Sequence, residues 1–219
     1  MSENMPPVPR RRPKVRMALM VVGLAAVVSG VALVAIPLAG VFQRGEADQT
    51  ALSTWNQGGS QSLTGTPSST ADPTAAPTTV SCGASSPTDY ALVTFGSPAS
   101  EHYAGVATDG TWDSLHDRSM VHYTGTPAPG QAGNAIIAFH REPNFEHIDQ
   151  LGVGGSITVE DRTCHSYTYV VTQRWVLDPS RVTQLVPTTG HDLTLITCTP
   201  FWVDSQRIVW RASLVTSTG

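Results

Sequence analysis

Lysine is almost missing from this chain: Lys14 is the only one in 219 residues. It and five of the twelve arginines (Arg10, Arg11, Arg12, Arg16 and Arg44) lie before residue 45. Beyond that point 7 arginines stand against 16 acidic side chains, a net charge of −9. So acidic a segment excludes nucleic-acid binding, because neutralising phosphates needs clustered Lys and Arg. Cysteine is scarce as well, at three residues, and no Cys or His set has the spacing of a metal site. No acidic cluster reads as a calcium site, and no cofactor is expected. What the chain does not lack is apolar residues: at 40% they exclude a wholly disordered protein.

One apolar run dominates the N-terminal part. From Met17 to Phe42 no residue is charged and only Ser29 is appreciably polar. At about 1.5 Å per residue a helix of this length crosses a hydrocarbon core of about 30 Å. The basic run Arg10–Arg16 just before it predicts a cytoplasmic N-terminus, with the remainder outside the cell. A cleaved signal peptide is the alternative, but its apolar region usually spans only about 7–15 residues. Residues 43–80 are mostly Ser, Thr, Gly, Ala, Pro and Gln, which bury too little surface to offset chain entropy. The expected organisation is therefore a basic tail over 1–16, a transmembrane helix over 17–42, a flexible stalk over 43–80 and a folded domain over 81–219. Trp55 is out of place in such a stalk and has no role in this reading.

The folded part reads as all-β. Strand-like runs occupy Ala135–Phe139, Ser156–Glu160, Ser166–Leu177, Asp192–Thr197 and Arg207–Val215, separated by turn residues, the pattern of a barrel or sandwich. Asp161–His165 reads as a hairpin turn. Two short helices are expected, over Asn144–Leu151, where Phe145, Ile148 and Leu151 recur every third residue, and over Asp178–Leu185, where Asp178 precedes Pro179.

Cys198 ends the alternating run Leu193-Thr194-Leu195-Ile196-Thr197, so a sheet would fix its thiol at a strand mouth. A nucleophilic thiol must become a thiolate, which needs a nearby cation. Arg207 lies nine residues on, and a hairpin connection would set it beside Cys198; its permanent charge suits an oxyanion. His140 follows an apolar run at a strand-to-loop junction, but with seven histidines the residues alone do not choose it over His122 or His191. Arg211, four positions past Arg207, competes for the arginine role.

The run Thr194-Leu195-Ile196-Thr197-Cys198, followed by Arg207-Ile208-Val209, resembles the signature of the sortase family. His122-Tyr123-Thr124-Gly125-Thr126, Pro129-Gly130 and Gly133-Asn134-Ala135-Ile136-Ile137-Ala138-Phe139-His140-Arg141 look like its histidine-bearing segment, and the likeness covers about residues 90–215. The resemblance implies an eight-stranded β-barrel with short helices behind one transmembrane helix. It implies Cys198 as nucleophile, His140 as the imidazole, Arg207 at the oxyanion and Thr197 in substrate positioning. The implied reaction cleaves the Thr–Gly bond of an LPXTG- or LAXTG-like sorting signal on a surface protein. The acyl group then passes to an amine of a peptidoglycan precursor or a pilin. Phe139 departs from the family, which usually has Gly before the histidine, and a bulky residue there would narrow the groove.

Class E or D is the expected subclass, although the Thr-Cys-Thr-Pro-Phe run is also similar to the pilin-polymerising class C. Other readings are an inactive anchored β-domain for binding or sensing, a papain- or NlpC-type peptidase, and an L,D-transpeptidase. The papain order of Cys before His is reversed here, and the His-Gly-Cys run of L,D-transpeptidases is missing. Cys82 and Cys164 are the candidate disulfide pair of an extracytoplasmic domain, leaving Cys198 free; two unpaired thiols are the alternative.

Overall fold

The computed structural model describes residues 13–61, 82, 87–96 and 102–219. Residues 1–12 of the expected basic tail and residues 62–80 of the expected stalk lie outside these. The chain forms two compact units, Met1–Val41 and Phe42–Gly219. The first holds the N-terminal part of helix α1 (Pro13–Gln61), which shows apolar side chains to its surroundings, among them Met20, Leu24 and Leu33. This helix is long and apolar enough to cross a membrane.

The second unit is built on eight strands: β1 (Asp89–Phe95), β2 (Ala104–Gly110), β3 (Met120–Tyr123), β4 (Gly133–Phe139), β5 (Ser156–Asp161), β6 (Ser166–Leu177), β7 (His191–Thr199) and β8 (Gln206–Thr218). They close in the order β1-β2-β3-β4-β7-β8-β6-β5, with β1 returning to pair with β5. Closure leaves no open sheet edge. The β2/β3 and β4/β7 pairs are parallel and the other pairs antiparallel. The expected eight-stranded barrel is the observed one.

Alternation decides which side chains fill it. Ala91, Val93 and Phe95 of β1 meet Ala135, Ile137 and Phe139 of β4 in a single interior cluster. Phe139 stacks near Trp210 at 6.4 Å between ring centres and meets Phe145 edge-on at 5.2 Å. Trp210 is fully enclosed, and its Nε1 donates to the Leu151 carbonyl at 2.8 Å, so no polar group is orphaned by its burial. Phe139 therefore belongs to the core. The residue before an outward His140 points inward, yet Phe139 also lines the cavity beside His140.

Both expected helices shrink. Asn144–Leu151 is a series of turns ending in the 3₁₀ helix Ile148–Gln150. A strict three-residue apolar repeat is the 3₁₀ period, not the α period of 3.6, and Phe145, Ile148 and Leu151 are all buried. Asp178 caps as expected by accepting from the Ser180 N–H at 2.9 Å, but the helix covers only Pro179–Arg181.

The stalk also differs from expectation. Residues 43–61 continue α1. Gly45, Asp48 and Trp55 are buried, and Arg44, Ala51 and Leu52 are half-buried, at helical spacings of three and four, so one face of this segment packs on the barrel. Trp55 is 1% exposed; it packs with Cys82 and Val106, and its Nε1 donates to Glu160 Oε1 at 2.7 Å. Gly45 permits the close approach, since a Cβ there would stand 3.0 Å from Pro143 Cγ. Beside Trp55, Cys82 is bonded to Cys164 in the β5–β6 turn, across a sequence separation of 82. A bridge over so long a loop contributes about 4 kcal/mol in the chain-entropy account.

Candidate active site

Strand register builds the site. Ala138 on β4 pairs with Ile196 on β7, and Ile196 pairs with Val209 on β8. These three form a small apolar cluster separate from the barrel interior, with Leu115, Trp175, Val182 and Leu185 packed on it. Two residues on, side chains return to the same face. That step reaches His140 after Ala138 and Cys198 after Ile196; on the antiparallel β8 it reaches Arg207. Cys198 and Arg207 are direct partners in the β7/β8 register. Adjacent strands lie about 4.8 Å apart, so the thiol and the guanidinium share one rung, with the imidazole just past the end of β4 beside them. All three line one cavity of about 260 Å³, with Trp112, Leu115 and the Ala138–Ile196 floor.

The imidazole is oriented by the 3₁₀ helix Trp112–His116. His140 Nε2 lies 2.8 Å from the Leu115 carbonyl. A carbonyl only accepts, so Nε2 carries a proton and Nδ1 is left to exchange one. The His140 N–H donates to the Ser119 carbonyl at 2.8 Å, which holds the residue just past the strand end.

Cys198 is the one unpaired cysteine among the described residues and is partly exposed. Burial pushes its thiol above the ordinary cysteine value; Arg207 pulls it down, and Asp204 and Glu142 push it up. Arg207 Nη1 donates to the Asp204 and Gln206 carbonyls, each at 3.0 Å. The guanidinium is thereby anchored to its own loop, with Nε and Nη2 unused by described hydrogen bonds.

The loops flanking the cavity are tied together by two residues that sequence reasoning passed over. Arg141, 3% exposed, donates to Thr199 Oγ1 at 2.9 Å and to Asp149 Oδ1 at 2.6 Å, and lies 5.6 Å from the Phe201 ring. Glu142 accepts from the Trp202 N–H at 2.7 Å. The segment after His140 is thus fixed to the segment after Cys198. A charged Arg-Glu pair directly after an apolar strand was the available signal.

Of the other candidates, Thr197 shares this cavity, whereas His122, His191 and Arg211 lie elsewhere. Thr197 is 2% exposed and its hydroxyl donates to the Phe139 carbonyl at 2.6 Å. It stitches β7 to β4 and lines the same cavity as Cys198, with its oxygen still able to accept a hydrogen bond. His122 is buried under Tyr90, with Nδ1 2.7 Å from Asp109 Oδ1, and lines no part of the cavity. His191 opens β7, at the far end from Cys198, with Nδ1 2.8 Å from the Gly130 carbonyl. Gly130, at φ +79°, could not be another residue, because a Cβ would fall 2.2 Å from the Tyr167 ring. Arg211 pairs with Thr194 and donates to Thr194 Oγ1 at 2.7 Å, four residues along β8 from Arg207. Among the described residues no group of three or more His, Cys, Asp and Glu could hold a metal ion.

Comparison with known proteins bears on the same strands. The family model described as a sortase domain matches residues 98–215. A sortase D5 transpeptidase of Clostridium perfringens is similar at 27% identity, covering 58% of this chain and 79% of its own, with a TM-score of 0.51. Sortase E of Streptomyces avermitilis is similar at 25% identity, covering 59% and 90%, with a TM-score of 0.51. Sortase C1 of Streptococcus agalactiae is similar at 27% identity, covering 58% and 67%, with a TM-score of 0.50. A search of curated protein sequences gave no match. The matched segment takes in β2 to β7 and most of β8, and with them His140, Cys198 and Arg207: the chain belongs to the sortase family of cysteine transpeptidases.

Proposed function

We propose that this sortase is anchored by residues 17–42 with its N-terminus in the cytoplasm, and joins sorting-signal proteins to an amine at the cell surface. Cys198 gives its thiol proton to His140 and attacks, as the thiolate, the threonine carbonyl of an LPXTG- or LAXTG-like signal. A C–S bond forms, the electron pair moves to the carbonyl oxygen, and Arg207 donates to the resulting oxyanion. The tetrahedral intermediate collapses with loss of the glycine amine, to which imidazolium His140 gives its proton. The thioester is then attacked by the accepting amine of a peptidoglycan precursor or pilin; His140 takes the proton back and the thiolate is released.

The single observation that carries this reading is that His140, just past β4, lines one cavity with the β7/β8 register partners Cys198 and Arg207. The basic residues before Met17 support the orientation. A class E-like subclass is supported by extent: the chain covers 90% of the Streptomyces avermitilis sortase E, against 67% of the sortase C1 chain. The test is to incubate the full-length protein in detergent with LPXTG and LAXTG peptides and an amine acceptor, and to follow products by mass spectrometry. Cleavage between Thr and Gly with amine incorporation is expected. Absence of cleavage with both peptides overturns the proposal, and a preference for LAXTG favours the class E-like form.

A further inference from the structure

The continuation of α1 brings one acidic side chain to the rear of the site. Asp48 is 6% exposed, on the helix face that carries Gly45 and Trp55. Asn144, four residues past His140, donates from Nδ2 to Asp48 Oδ2 at 3.3 Å. Pro143 rests against Gly45, one helical turn before Asp48. Ser119 lies beside Asp48, and its carbonyl accepts the His140 N–H. The charged and titratable groups that face the carboxylate are Arg118 and His140 itself. Asp48 thus touches both segments that locate the imidazole: the loop that leaves it and the chain that holds its backbone.

We infer that Asp48 is a positioning residue for His140, a buried carboxylate by which the membrane-proximal helix completes the active site. The inference rests on the sortase reading, in which His140 is the proton-transferring imidazole.

The energetics separate this role from a purely structural one. Burial pushes the Asp48 carboxyl above the ordinary aspartate range, against the pull of Ser119, Asn144, Arg118 and His140. A carboxyl raised in this way stabilises the fold fully only below its unfolded value, and that contribution is lost as pH rises through the folded value. Wherever the buried group is ionised, it is therefore a cost to stability. An isosteric amide that keeps the contact with Asn144 removes the cost. A structural residue would lose activity and stability together, whereas a positioning residue held against its own cost should show opposite signs.

The experiment uses the full-length protein in detergent. Asp48→Asn and Asp48→Ala are compared with wild type for kcat and KM with a sorting-signal peptide, for melting temperature at pH 7, and for the His140 ring resonances by NMR. Asp48→Asn is expected to lower kcat by about 10- to 100-fold, the scale of a small misplacement of a reacting group. KM should stay within about twofold, with the melting temperature equal or higher. Its His140 ring resonances should move while those of His191 do not. Unchanged kcat and unchanged resonances overturn the inference, as does activity lost in step with melting temperature. Should Asp48→Ala fail to fold, Asp48→Asn decides alone. Should wild type turn over no sorting peptide, the proposed function fails but the His140 resonances still decide the positioning role.

Discussion

Cys198 and Arg207 face each other across the β7/β8 ladder as register partners, held by a hairpin whose loop covers only residues 200–205. The pairing brings a permanent cation beside a thiol that burial alone would keep protonated. Arg211 sits on the same strand, but its fork is spent on Thr194 Oγ1 and the Gln184 carbonyl.

Arg207→Ala is expected to lower kcat/KM by roughly two to three decades, the usual cost of an oxyanion donor. Arg211→Ala should act mainly on stability and cost much less activity. Steady-state kinetics on both variants check this; the reverse order would assign the wrong arginine.

The charges around Cys198 should show in its reactivity. A higher thiol pKa leaves less thiolate at neutral pH and slows alkylation. Arg207 lowers that pKa and Asp204 raises it. Iodoacetamide should therefore react more slowly with Arg207→Ala than with wild type at pH 7, and faster with Asp204→Asn. Equal rates in all three would remove the electrostatic account of the thiol.

Trp55→Ala should destabilise the domain by about 3 kcal/mol, as for a large buried aromatic, and lower Tm by about 6–12 °C. A flexible stalk would give no change in a thermal melt.

With Cys82 and Cys164 bonded, unreduced and denatured protein should show one titratable thiol, contributed by Cys198. Three thiols would contradict the bridge. The same titration after reduction should give three.

Much of this was legible from residue order. The alternation of Leu193, Leu195 and Thr197 against Ile196 and Cys198 set the face of the thiol, and the loop length to Arg207 set its partner. The same alternation also held the burial of Thr197 and Phe139: if Cys198 and His140 face outward, their immediate neighbours face in. Strand β2 was hidden because Ala104–Gly110 consists mostly of small residues, and β3 because it is four residues long. The continuation of α1 past Phe42 was hidden for a different reason. Its buried stripe is made of Gly45, Asp48, Ala51 and Leu52 with one large residue, Trp55, among polar neighbours. Such a helix is stabilised by the barrel it packs on rather than by its own apolar pattern. No local signal could show that Asp48 meets Asn144, 96 residues away.

The central claim is that Cys198 forms a thioester with a sorting signal, and mass spectrometry of the intact protein after a brief incubation with an LPXTG or LAXTG peptide measures it most directly. The account predicts an acyl adduct, with the peptide cut after Thr, that maps to Cys198, disappears on addition of an amine and is absent from Cys198→Ala. An adduct on any other residue, or peptide cleavage that persists in Cys198→Ala, would contradict it.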